Sequence, residues 1–162
     1  METVAVYREK PVRTYGVRAK GGLVLARLAC PPQGLAGLSA ALSAAQPPLE
    51  LAACGMSRGA SPELNLCLPA GQCGLLAELV SRAGGRLAGR QEVDLISLQG
   101  PHFGDRWGIA HQALAGLAEA GVRPRLVLGV LHTLQLLVDP AESSRALQGL
   151  RTRFASPEDG HA

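Results

Sequence analysis

Gly104-Asp105-Arg106-Trp107-Gly108-Ile109-Ala110 ends in a glycine-apolar-alanine triplet that opens a helical pattern, and a triplet of the same kind stands earlier as Gly34-Leu35-Ala36. Each triplet follows an apolar strand pattern and a short polar or glycine-bearing loop. Each is followed by two more strand patterns and a second helical one. The chain thus writes one βαββαβ unit twice.

Working outward from the second triplet, Val93 to Leu98 reads as a strand, Gln99 to Trp107 as a loop, and Ile109, Ala113, Leu114 and Leu117 as the core stripe of a helix that stops at Gly121. Leu126 to Val130 and Thr133 to Val138 form a hairpin pattern. Asp139-Pro140-Ala141-Glu142 then starts a helix, with Asp139 capping, Pro140 in the first turn and Glu142 bonding back; Leu147, Leu150 and Phe154 give it an apolar face. Around the first triplet, Leu23 to Ala29 is a strand and Leu35, Leu38 and Leu42 mark a helix ended by Pro47-Pro48. Leu49 to Met56 and the alternating Leu64, Leu66 and Leu68 are strands, the second with one buried face, and Leu75, Leu76, Leu79 and Val80 mark a helix stopped by Gly84-Gly85.

The second copy lacks a closing strand of its own, because only the polar run 155–162 follows the helical pattern Ala141 to Phe154. The first copy closes itself with Arg86 to Arg90. Val12 to Arg18, set apart by Gly21-Gly22, is therefore spare and is expected to complete the second copy, interlocking the two. The expected fold class is α+β: two ferredoxin-like units, the first over 20–92, the second over 93–155 completed by strand 12–18, with tails 1–11 and 156–162.

Composition narrows the function. Of the 162 residues, 47% are hydrophobic and 18% charged, the balance of a packed globular protein. Two units of this size are each near the lower limit for an independent core, so they are expected to share an interface or dimerise. The longest apolar runs, such as Leu126 to Leu131, are too short to span a membrane, and no secretory pattern surrounds Glu2, Arg8, Glu9 and Lys10, so no membrane partner and a cytoplasmic location are expected. The net charge is +3 with scattered basic residues, and aromatics are only 3%, too few for the stacking platforms of a nucleic-acid binder.

No metal or cofactor is expected. Cys30, Cys54, Cys67 and Cys73 form no Cys-x-x-Cys pair, and His102, His111, His132 and His161 lack zinc-ligand spacing. The cysteines read as reduced thiols, with Cys54 and Cys67 buried in strands. An enzyme would need Cys30 or Cys73 as nucleophile with His102 or His111 as base, and no spacing joins them, so no catalytic residue is assigned.

The Gly104 to Ala110 run resembles the signature of ACT domains, the small regulatory modules that bind amino acids. Leu136-Leu137-Val138-Asp139, continuing through Ser144-Arg145-Ala146-Leu147 to Leu150 and Phe154, is similar to the end of the regulatory region of aspartokinases. The displaced N-terminal strand matches that region too, so the resemblance covers Val12 to Phe154. It implies a non-catalytic regulator that binds an amino acid of the lysine or threonine class, forms a homodimer and acts on an aspartokinase or related biosynthetic enzyme. No glycine-rich phosphate loop with a lysine accompanies it, Lys10 and Lys20 lying outside such a context. The alternative is a ligand-free module that dimerises or holds a partner enzyme.

A free amino acid offers a carboxylate, an ammonium and a side chain, and a helix N-terminus supplies unpaired amides for the first. Gly34 and Gly108 stand at that position, where a missing side chain lets a ligand approach. In the second copy Asp105 is placed to accept from the ammonium, with His102 and Arg106 beside it; a helix cap or surface turn is its competing role. Trp107 either covers the domain interface or forms a wall against the ligand. The resemblance adds Ile109 and, in the first copy, Gln33, Gly34, Leu35 and the strand acid Glu50. The family's polar strand positions are here Cys54-Gly55 and Leu128-Gly129, and Arg125 replaces the second acid.

Overall fold

The computed structural model describes residues 12–56, 62–101, 103–104 and 106–156. They fall into two compact units, one spanning Lys20–Asp94 and the other joining the chain up to Ala19 to the chain from Leu95 onward. The first described strand, β1 (Val12–Arg13), belongs to the second of these; β2 (Gly16–Ala29) and β5 (Arg86–Gln99) each contribute residues to both.

In the Lys20–Asp94 unit the chain runs from β2 through α1 (Pro32–Ala45), β3 (Leu51–Met56), β4 (Pro62–Pro69) and α2 (Cys73–Arg82) to β5. Its strand order is β3-β4-β2-β5. Counted along the unit this is 4-1-3-2, the ferredoxin-like order, which places the two helices of a βαββαβ chain on one face. Leu28, Leu38, Leu66, Leu68, Leu76 and Val80 form the centre of its core, and none exceeds 1% exposure.

The other unit runs from β5 through α3 (Ile109–Glu119), β6 (Leu126–Val130), β7 (Thr133–Val138) and α4 (Ser143–Arg151) to β8 (Phe154–Ala155). Its order is β2-β5-β7-β6, again 4-1-3-2, with the Gly16–Ala19 end of β2 as closing strand. The Tyr15 amide donates to the Gln99 carbonyl at 2.7 Å, holding that strand beside β5. Val12, Val17, Ile96, Leu98, Leu117, Leu136, Leu150 and Phe154 share one core cluster, so the early strand is packed into the C-terminal half.

Several expected boundaries differ. The early strand is not continuous over 12–18: β1 stops at Arg13, pairs parallel with β8 (Val12↔Phe154), and is tied by Thr14, whose amide and hydroxyl both donate to the Ala155 carbonyl. Phe154 is accordingly not on α4 but in a strand, fully buried and tilted against Phe103 with ring centroids 6.3 Å apart. Gly21-Gly22 does not break β2. A Cβ on Gly21 would lie 3.1 Å from Asp94 Oδ1, so that glycine permits close approach within the ladder rather than a turn. β5 likewise continues past Arg90, and the divisions between the compact units, at Lys20 and after Asp94, lie within β2 and β5.

On β4, Leu66, Cys67 and Leu68 are all buried, so both faces of that strand are covered, not one. Cys54, expected to be buried, is exposed. On β3 it pairs with Leu64 of β4, and among the described residues β3 stands at the end of the strand order with no neighbour beyond it. At Asp139 the expected cap forms: its Oδ1 accepts from the Ala141 amide at 3.1 Å and a 3-10 turn, Pro140–Glu142, leads into α4. Glu142 turns forward to Arg145 at 3.3 Å instead of back.

Candidate functional site

A cavity of about 660 Å³ opens in the C-terminal unit between the loop before α3 and the β6–β7 hairpin. The loop contributes Phe103, Gly104, Arg106 and Trp107, and the helix start contributes Gly108, Ile109 and Ala110. The hairpin closes the far side with Gly129, Leu131, Thr133 and Leu134. That volume lies in the range of small-molecule sites.

Local chemistry builds each wall. Gly108 precedes α3 with φ 85°, a left-handed conformation that glycine adopts without a Cβ clash. No described side chain caps α3, and its backbone ladder begins with the Gln112 amide donating to the Gly108 carbonyl at 2.9 Å. The amides of Ile109, Ala110 and His111 precede that ladder, where a helix leaves donors for an outside acceptor and presents its positive end. Ile109 is only 7% exposed and joins the core, which fixes the helix start.

Phe103 is held from two sides. Its ring lies on Gly100, where any Cβ would collide with it, and against the buried Phe154. The floor of the loop is thus anchored in the core. Across the cavity, β6 and β7 pair through Val130↔Thr133, leaving Leu131 and His132 as the turn. Leu131 takes φ 50°, an uncommon conformation for a branched side chain, and is 83% exposed. The Gly100 amide donates to the His132 carbonyl at 3.3 Å, and Gly104 comes so near the Leu131 carbonyl that a Cβ would lie 3.3 Å from it. The two walls are therefore linked through backbone.

The residues expected at the second-copy site separate clearly. Arg106, Trp107, Gly108 and Ile109 come together in the cavity lining. His102 and Asp105 lie outside the described residues. Trp107 does not cover an interface within the chain: at 97% exposure it stands open beside the cavity. The hairpin residues Leu131, Thr133 and Leu134 and the loop residue Phe103 carry no sequence assignment, because only strand pairing brings the hairpin tip to residues 103–104 and 106–110. The two-residue gap Leu131-His132 in the hairpin pattern is the one local signal that points there.

The first-copy residues have other reasons. Gly34 is not the residue before its helix: α1 begins at Pro32, and Gly34 sits in the first turn with its amide donating to the Pro31 carbonyl at 2.8 Å. The space above it is filled by the Ala83 carbonyl and by Cys30 Sγ, 2.9 Å from where a Cβ would lie. Close helix packing, not ligand access, accounts for that glycine. Gln33 is exposed, Leu35 packs on the local core, and Glu50 accepts from Lys20 Nζ at 2.7 Å. Below that ion pair, Cys67 is pushed up to about 11 by burial first and by Glu50 second, with Lys20 acting in the opposite sense.

Among the described residues no group of three or more metal-ligating side chains gathers, and no helix is long and apolar enough to cross a membrane.

No family model matches the sequence, and no curated protein matches it. Solved structures do. The regulatory subunit of aspartate kinase from Thermus flavus superposes with a TM-score of 0.75 at 13% identity, covering 86% of this chain and 97% of that one. Aspartate kinase from Synechocystis gives 0.75 at 17% identity over 91% of this chain and 28% of that one. Aspartokinase III of E. coli, in complex with lysine and aspartate, gives 0.63 at 18% identity over 90% of this chain and 34% of that one. At these identities the likeness establishes the fold, which this chain shares with aspartate kinase regulatory subunits.

Proposed function

We propose that this chain is a non-catalytic regulatory protein of the ACT type that binds a free amino acid in the cavity before α3 and thereby controls an amino-acid biosynthetic enzyme, an aspartokinase or a relative. The observation that carries it is the cavity itself. It sits at the start of the first helix of a ferredoxin-like unit, with left-handed Gly108 at its mouth and the first-turn amides of α3 on one wall. Those amides and the helix dipole suit an α-carboxylate, and Asp105, adjacent in sequence to two lining residues, supplies a carboxylate for the ammonium.

The fold supports the same assignment, since it is shared with regulatory subunits of aspartate kinase and with about a third of the length of aspartokinase III of E. coli, an enzyme solved in complex with lysine and aspartate. Transmission to a partner needs an assembly, and a homodimer belongs to the proposal. Calorimetric titration with the common amino acids, lysine and threonine among them, tests it directly. Heat and a raised melting temperature for at least one are expected. Silence across the whole panel rejects ligand sensing and favours the ligand-free interaction module.

A further inference from the structure

We infer that the amino acid this cavity selects has an uncharged, aliphatic side chain of about the size of leucine or methionine, in place of lysine. This rests on the cavity being an amino-acid site. If the ligand's carboxylate meets the start of α3, its side chain extends toward the hairpin. The groups waiting there are Leu131, Leu134 and the methyl-bearing Thr133, with Trp107 and Phe103 on the loop side. Two of these, Trp107 at 97% and Leu131 at 83%, are exposed to an extent unusual for such large apolar side chains. An aliphatic ligand buries its own apolar surface and theirs at once.

On β6, Gly129 widens the wall facing the ligand without adding a polar group.

The experiment uses the full chain and its single tryptophan, Trp107. Leucine, isoleucine, methionine, threonine, lysine and glutamate are titrated while indole emission and heat are recorded. An aliphatic amino acid is expected to bind at least about tenfold more tightly than lysine, as burial of one such side chain allows, and to shift the emission to shorter wavelength. Leu131→Asp places a carboxylate on the exposed rim at a positive φ that aspartate tolerates, so it should reverse the order toward lysine without unfolding the chain. If lysine or glutamate binds the unsubstituted chain as tightly as the aliphatic set, the inference is overturned while the amino-acid site stands. If no amino acid binds, the site assignment itself fails.

Discussion

Gly116 on α3 and Gly149 on α4 face each other so closely that a Cβ on either would collide with the other's carbonyl; built on Gly116 it would lie 2.5 Å from the Gly149 oxygen. The two helices cross backbone to backbone at this point. Arg153 strengthens the same contact by reaching from beyond α4 to Gln112 at 3.3 Å and to Glu119, both on α3. Because α3 carries the cavity at its N-terminus, this crossing positions the site from two turns away.

Gly149→Ala should therefore destabilise the chain by about 1–3 kcal/mol, the usual cost of forcing an extra carbon into a tight contact. Gly37→Ala is the control: that glycine lies inside α1 with open space around it, and alanine there should be neutral or stabilise by up to about 1 kcal/mol. Urea denaturation of the two variants separates steric from conformational effects. Equal stabilities would contradict the close crossing.

Trp107 is predicted to emit as a solvent-exposed indole in the unliganded chain. Trp107→Ala should change stability by no more than about 0.5 kcal/mol, as expected for a surface residue. Any loss of amino-acid binding in that variant then reports on the cavity rather than on folding. A loss of several kilocalories in thermal or chemical unfolding would show that the ring is buried after all.

At Gly108 the left-handed backbone imposes its own order. Gly108→Ala should cost about 1–2 kcal/mol, the penalty of a Cβ in that region, whereas Gly108→Asn should recover part of it because asparagine tolerates the conformation. Melting temperatures of the three proteins, ranked glycine, asparagine, alanine, check this. An alanine variant as stable as the parent would rule out the positive φ.

The raised Cys67 thiol couples stability to alkaline pH. Burial makes the folded state hold this proton up to about 11, while the unfolded chain releases it near the ordinary thiol value of 9.0. The stabilisation is therefore complete below pH 9 and is lost as the pH rises toward 11, by an amount on the order of 2 kcal/mol. Cys67→Ala should remove that slope. Thiol labelling at pH 8 should modify the exposed Cys54 readily and leave Cys67 and Cys30 unreacted.

Much of the architecture was legible along the chain. The 3.6-residue recurrence of Leu35, Leu38 and Leu42, the alternation at Leu64, Leu66 and Leu68, and the Asp139-Pro140 start all mark elements that formed, because each depends on neighbours a few residues away. Boundaries set by pairing were less legible. Gly21-Gly22 resembles a turn in isolation, yet β2 runs through it, and at Gly21 Asp94 occupies the space a side chain would need. Phe154 continues the helical spacing of Leu147 and Leu150, yet the ladder to Val12 takes it out of the helix.

The candidate site divides in the same way. Arg106, Trp107, Gly108 and Ile109 were visible as one contiguous run. Gly34 and Gly108 both open a glycine-apolar-alanine triplet, and in sequence the acid Asp105 before the second is what sets them apart; in the structure Gly34 lies inside α1 under the Ala83 carbonyl, while Gly108 precedes α3 at a positive φ beside the cavity.

By itself, the order of residues determined the elements, their duplication and the run that opens α3, because periodic burial and turn chemistry act over short spans of backbone. Tertiary structure decided that the strand expected over 12–18 divides, with β1 meeting β8 and the Gly16–Ala19 end of β2 beside β5, and that a hairpin tip faces residues 103–104 and 106–110 across a cavity. Those relationships depend on hydrogen-bond ladders and steric fit between segments far apart in the chain, where no local pattern fixes distance or facing.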